Sequence, residues 1–212
     1  MNNVVGLIDY GMGNLHSVRQ SFKRLNHPLK VIEKPKDLKN CDALILPGVG
    51  AFDPAIRNLE KTELIPNIKH WVIEGRPLLG ICLGLQLLFD SSDEGKLKGL
   101  GLLKGNVSKL ASNQKERVPH MGWALVNQVN ECPLLKEGDI SNWMYFVHSY
   151  SAIPQSEDLA ATVEFGHTSI TAMVWKDNFG ACQFHPEKSG KAGERLLSRW
   201  ITWLKETHKK SY

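Results

Sequence analysis

Several short runs in the first half of this chain are apolar at almost every position, and this property limits the folds open to it. Residues 4–8 (VVGLI), 43–46 (ALIL) and 77–81 (PLLGI) show no polar alternation, and residues 29–32 add a shorter strand-like stretch. A strand with one face in water alternates apolar and polar side chains. A strand without alternation needs cover on both faces, the situation of parallel strands joined by crossover helices. The segments between these runs have helical spacing. Leu15, Val18, Phe22 and Leu25 recur every three or four residues, and similar patterns run over residues 52–60, over 64–74 and through Leu85, Leu88 and Phe89.

The second half has another rhythm. Short strand-like segments at 107–110, 123–126, 144–147, 160–165, 171–175 and 181–184 are separated by polar or glycine-rich joints. A final helix is expected over 191–208, with Leu196, Leu197, Trp200, Ile201 and Leu204 on its buried side. The chain is therefore read as α/β: a mostly parallel central sheet flanked by helices, with extra antiparallel strands in the second half. No repeat or long linker divides it, so residues 1–212 are expected to form a single domain. At 212 residues with 42% hydrophobic and 23% charged side chains, it can bury a core without metals or crosslinks.

Composition also removes whole classes of function. The net charge of +4 comes from scattered residues, without the basic stripe and interleaved aromatics of a nucleic-acid binder. No apolar run approaches the roughly 20 residues that span a bilayer, and the first residues lack the form of a signal peptide. Cys41, Cys82, Cys132 and Cys182 are far apart, with neither a CxxC pair nor zinc-like spacing. The expectation is a cytoplasmic protein with free thiols, no metal, no cofactor, no membrane contact and no nucleic-acid partner.

Ligands of open α/β sheets bind beyond the carboxyl ends of the strands. Three loops lie there, after Ile8, Leu46 and Ile81. The third reads Gly80-Ile81-Cys82-Leu83-Gly84-Leu85-Gln86, the cysteine form of the G-x-S-x-G nucleophile elbow. A sharp strand-to-helix turn crowds its flanking positions, which glycine relieves. The turn also places Cys82 at a helix N-terminus, which favours thiolate over thiol. The amide of Leu83 is placed to donate to an oxyanion, and Gln86 lies one helical turn further on. Alone, the segment reads equally well as a buried structural cysteine between packing glycines.

A cysteine nucleophile needs a base, and the base needs an orienting group. His185-Pro186-Glu187 follows a strand-like run, and residues two apart in an extended segment face the same side. Glu187 can then hold the imidazole while His185 takes the Cys82 proton and returns it to a leaving amine. An isolated histidine here reads as a surface residue, with seven other histidines competing; the pairing with the elbow tips the reading toward catalysis. Pro47-Gly48-Val49-Gly50 can bring a second oxyanion donor close, through the amide of Val49 or its neighbour. Cys41, Cys132 and Cys182 read as small hydrophobes.

Together, PGVGAF, GICLGLQ and FHPEKS resemble the class I (triad-type) glutamine amidotransferases. DYGMGNLHSV, VPHMGW and YFVHSY narrow the resemblance to the glutaminase subunits of imidazole glycerol phosphate synthases, with landmarks from residue 9 to 189. The resemblance implies hydrolysis of L-glutamine to glutamate and ammonia through a cysteinyl thioester. Cys82 would be the nucleophile, His185 the general base and acid, and Glu187 the orienting carboxylate. Gly50, Gln86, His148, Ser149 and Tyr150 would lie near the bound glutamine. It further implies a (β/α)8 cyclase partner that receives the ammonia and forms imidazole glycerol phosphate in histidine biosynthesis, with Asn14, Met121, Trp123 and Lys188 toward that partner. One position departs from the family pattern, Ala124 where asparagine usually follows MGW, and it bears on partner contact and the pathway served. The alternatives are an amidotransferase subunit serving another acceptor, a non-catalytic binding module of the same fold, and a cysteine hydrolase acting on peptides or γ-glutamyl compounds.

Overall fold

The structure is a computed structural model that describes residues 3–111, 117–136, 138–139 and 141–209. Its elements run β1 (Val5–Ile8), α1 (Leu15–Arg24), β2 (Lys30–Ile32), β3 (Ala43–Gly48), α2 (Phe52–Lys61), α3 (Ile65–Ile73), β4 (Leu78–Cys82) and α4 (Leu83–Leu87). The second half adds β5 (Ser91–Ser92), β6 (Gly105–Lys109), β7 (His120–Gln128), β8 (Trp143–His148), β9 (Tyr150–Pro154), β10 (Leu159–Phe165), β11 (Thr168–Lys176), β12 (Phe179–Cys182) and α5 (Gly190–Lys209).

Among the described residues, nine strands form one sheet in the order β2-β1-β3-β4-β12-β11-β10-β7-β8. From β2 to β12 neighbours pair in parallel, and from β12 to β8 they pair antiparallel. A smaller sheet of β5, β6 and β9 lies apart. The expected mixed α/β architecture is what the chain adopts.

The apolar strands have the predicted cause. Val5 and Leu7, Ala43 and Ile45, and Leu79 and Ile81 face a core completed by Val18 and Phe22 of α1 and Leu197, Trp200 and Leu204 of α5. The alternate residues Ile8, Leu44, Leu46 and Leu78 face a second core made with Phe52, Ile56 and Leu59 of α2 and Ile68 and Trp71 of α3. Each strand thus has two buried faces, and each full burial of a Leu or Ile stabilises by about 1.5–3 kcal/mol.

Some boundaries differ from expectation. β3 continues through Pro47 to Gly48, because Pro47 pairs with Ile81 and Gly48 with Cys82, so the loop proper starts at Val49. The helix after Cys82 ends at Leu87, before Leu88 and Phe89. The strand expected over 181–184 ends at Cys182. Tyr150–Pro154 is a strand the periodicity did not reveal, paired antiparallel with β6.

Candidate active site

Cys82 is where β4 becomes α4, with φ 56° and ψ −111°, outside the comfortable range of an L-residue. The flanking glycines follow from the packing around that turn. A Cβ on Gly80 would come within 2.8 Å of Ala181 Cβ, and one on Gly84 would overlap the Leu46 carbonyl oxygen. β12 runs parallel to β4 with Cys182 opposite Ile81, so the chain leaving β12 emerges beside Cys82. Sheet pairing therefore unites residues more than a hundred positions apart.

His185 lies just beyond β12, with its side chain almost wholly buried, and its ring is anchored at Nδ1 by Glu187 Oε1 at 2.8 Å. With Nδ1 held by the carboxylate, Nε2 is the nitrogen left to exchange a proton with Cys82. Its backbone is pinned as well: His185 N donates to Tyr145 O at 2.9 Å, and Ser189 Oγ donates to His185 O at 2.6 Å. His185 Nε2 is buried without a hydrogen-bond partner. Burial works against the imidazolium, but the neighbouring Cys82 and Glu187 outweigh it and push the ring up to about 9. Cys82, His185 and Glu187 are thus brought together, in the order expected from the sequence.

Cys82 and His185 open on a cavity of about 340 Å3, also lined by Val49, Gly50, Leu83, Gln86, His148, Ser149 and Tyr150. These are the residues the sequence placed around an oxyanion and a bound glutamine. Glu187 lies behind His185, outside the lining. Leu83 opens α4, where the first amides have no helical acceptor. Val49 is differently placed: its amide donates to Met12 O at 3.1 Å, so it is engaged within the loops. A broader cleft of about 1280 Å3, lined by Val126, Cys132, Asp139, Asn142 and Trp175 among others, contains none of the candidate residues.

Sequence reasoning missed several participants. Glu94, Pro119 and Val147 also line the cavity. Gln183 links its parts: Gln86 Nε2 donates to Gln183 Oε1 at 3.1 Å, and Gln183 Nε2 lies 3.9 Å from Cys82 Sγ. Gln86 Nε2 also donates to Tyr150 O at 3.2 Å. His148 Nδ1 is 2.8 Å from Tyr150 O and its Nε2 is 3.0 Å from His120 Nδ1, which fixes the ring. Burial, with smaller effects from His120 and His185, brings His148 down to about 4, so it is neutral at pH 7. The position of Gln183 next to His-x-Glu was the one available signal; Glu94 sits in a loop with no pattern to mark it.

The residues expected to face a partner lie on β7, at the start of α1 and in the turn that follows His185. Met121 is 62% exposed and Trp123 52%, side by side on one face of β7. The Trp123 ring lies 6.0 Å from Tyr145, whose own ring is 6.5 Å from His185. Asn14 is half-buried and caps α1, its Oδ1 accepting from Ser17 N at 3.2 Å. Lys188, exposed, closes the 3-10 turn Pro186–Lys188, which packs against both α1 and β8. Ala124 points to the other face of β7 and packs on the core, away from Met121 and Trp123. Among the described residues, no helix is long and apolar enough to cross a membrane.

The sequence matches the family described as glutamine amidotransferase class-I over residues 6–202. It is 66% identical over 206 residues to the imidazole glycerol phosphate synthase subunit HisH of Prochlorococcus marinus (strain MIT 9211), covering 97% of both chains. To the protein of the same name from Synechococcus sp. (strain CC9902) it is 58% identical over 201 residues, 94% of each chain. A solved structure described as a glutamine amidotransferase superposes with a TM-score of 0.73 at 22% identity, covering 95% of this chain and 98% of that one. The structure of PurLQS from Thermotoga maritima superposes with a TM-score of 0.73 at 16% identity, covering 96% and 100%. The chain belongs to the class-I glutamine amidotransferases and, within them, to the imidazole glycerol phosphate synthase subunits HisH.

Proposed function

We propose that this chain, as one amidotransferase domain, hydrolyses L-glutamine and supplies the ammonia to the cyclase subunit of an imidazole glycerol phosphate synthase. The observation that carries the reading is the buried His185, tied to Glu187 through one nitrogen and facing Cys82 with the other. Held up at about 9, the His185 ring already carries the proton shared with Cys82 when Cys82 Sγ attacks the carboxamide carbon. The amide of Leu83 stabilises the developing oxyanion. His185 then gives the proton to the departing nitrogen, which leaves as ammonia. Water, deprotonated by the same ring, cleaves the thioester and releases glutamate.

Gly50, Gln86, Ser149 and Tyr150 surround the substrate, and neutral His148 presents a fixed ring without adding charge. Glu94 is the acidic side chain in the lining and suits the substrate's α-ammonium group. For Val49 to join Leu83 in the oxyanion hole, its bond to Met12 O must open. The exposed Met121 and Trp123, with Asn14 and Lys188 nearby, form the face we assign to the cyclase.

The test is Cys82→Ala in the presence of the cyclase. Glutamine-dependent synthesis is expected to be lost, while synthesis from ammonium salts persists. Equal loss of both in a folded protein overturns the division of labour.

A further inference from the structure

The N-terminus of α2 and the turn at 94–97 hold each other in a reciprocal grip that reaches the cavity. Ala51 precedes α2 and offers no side-chain cap. The cap arrives from elsewhere: Phe52 N donates to Glu94 Oε2 at 2.8 Å. In return the Asp53 carboxylate accepts from Lys96 N at 3.0 and 3.1 Å and from Leu97 N at 3.0 Å. Glu94 N itself donates to Ser92 Oγ at 3.2 Å. The fit is close, since a Cβ on Gly95 would overlap Asp53 Oδ1. The bonds from Leu97 and Lys96 hold the Asp53 carboxyl below its usual range.

We infer that Asp53 is a positioning residue for recognition of the substrate's α-ammonium group: by fixing the turn, it aims Glu94 into the cavity and so sets the preference for amino-acid amides over simple amides. The inference rests on the glutaminase reading above and deepens it. With one Glu94 oxygen taken by Phe52 N, the other is the oxygen left for a cation, and its direction depends on the backbone that carries it. Asp53 supplies three of the contacts that hold that backbone, without touching the ligand. Phe52 also follows Gly50 and Ala51 directly, so the same grip ties Glu94 to the loop bearing Val49.

The test measures alkylation of Cys82 in the full chain, located by mass spectrometry, with two probes. One is a diazoketone analogue of glutamine, which carries the α-ammonium group, and the other is iodoacetamide, which lacks it. Asp53→Ala is expected to slow the diazoketone roughly tenfold, the scale of one weakened charge-assisted contact, and to leave iodoacetamide within about twofold. Asp53→Asn, which keeps an acceptor oxygen, should recover part of the rate. Adding Asp53→Ala to Glu94→Gln should slow the diazoketone no further, because the first residue acts through the second. An equal fall with both reagents, no fall at all, or additive losses in the double variant overturns the inference. If Cys82 of the unsubstituted chain resists the diazoketone, the glutaminase reading itself fails.

Discussion

Two buried histidines on one cavity respond to pH in opposite senses. His148 has its folded value lowered from 6.5 to about 4, so between those values the unfolded chain binds the extra proton. Its contribution is intact above pH 6.5 and lost as pH falls toward 4, an effect of about 3 kcal/mol. Urea titrations should show a steep acid loss of stability that His148→Gln flattens; an unchanged slope would mean the ring is not neutral in the folded state. His185 runs the other way. Its value is raised to about 9, so its contribution is complete below pH 6.5 and fades as pH rises through 9. His185→Gln should accordingly cost least stability at the alkaline end. Cys82 offers a further test at this scale. With φ 56° it occupies a conformation glycine tolerates, so Cys82→Gly should be more stable than Cys82→Ala by about 1 kcal/mol in denaturant midpoints.

At the level of elements, what could be read from the sequence was whatever repeats along it. The unbroken apolar runs of β1, β3 and β4 announced strands covered twice, and the stripe from Leu15 to Leu25 announced α1. The elbow and His-x-Glu were legible because strained turns and extended segments impose local residue choices. β9 was not, since its residues Tyr150–Pro154 carry a mixed burial pattern and are held by pairing with β6. Glu94 and Asp53 escaped for a related reason: their bonds join positions more than forty residues apart, and neither end has a local signature. The passage of β3 through Pro47 was hidden because the residue's role depends on its neighbour strand, where it pairs with Ile81.

For the molecule as a whole, the sheet divides the work between its two halves. The parallel half presents the sulfur and its glycine loop, and the antiparallel half carries an apolar face on β7. Because Met121 and Trp123 are exposed, Met121→Lys with Trp123→Glu should leave the melting temperature within a few degrees. The same pair should weaken association with the cyclase at least about a hundredfold by titration calorimetry; undiminished binding would move the docking face elsewhere. The seam between the halves is β12, inserted with β4 on one side and β11 on the other. Since β12 and His185 follow Cys82 at a long interval along the chain, a polypeptide still being synthesised has this thiol long before it has this imidazole. A nascent or prematurely terminated copy ending before Phe179 therefore lacks the imidazole beside the thiol, and on the glutaminase reading it should leave glutamine intact.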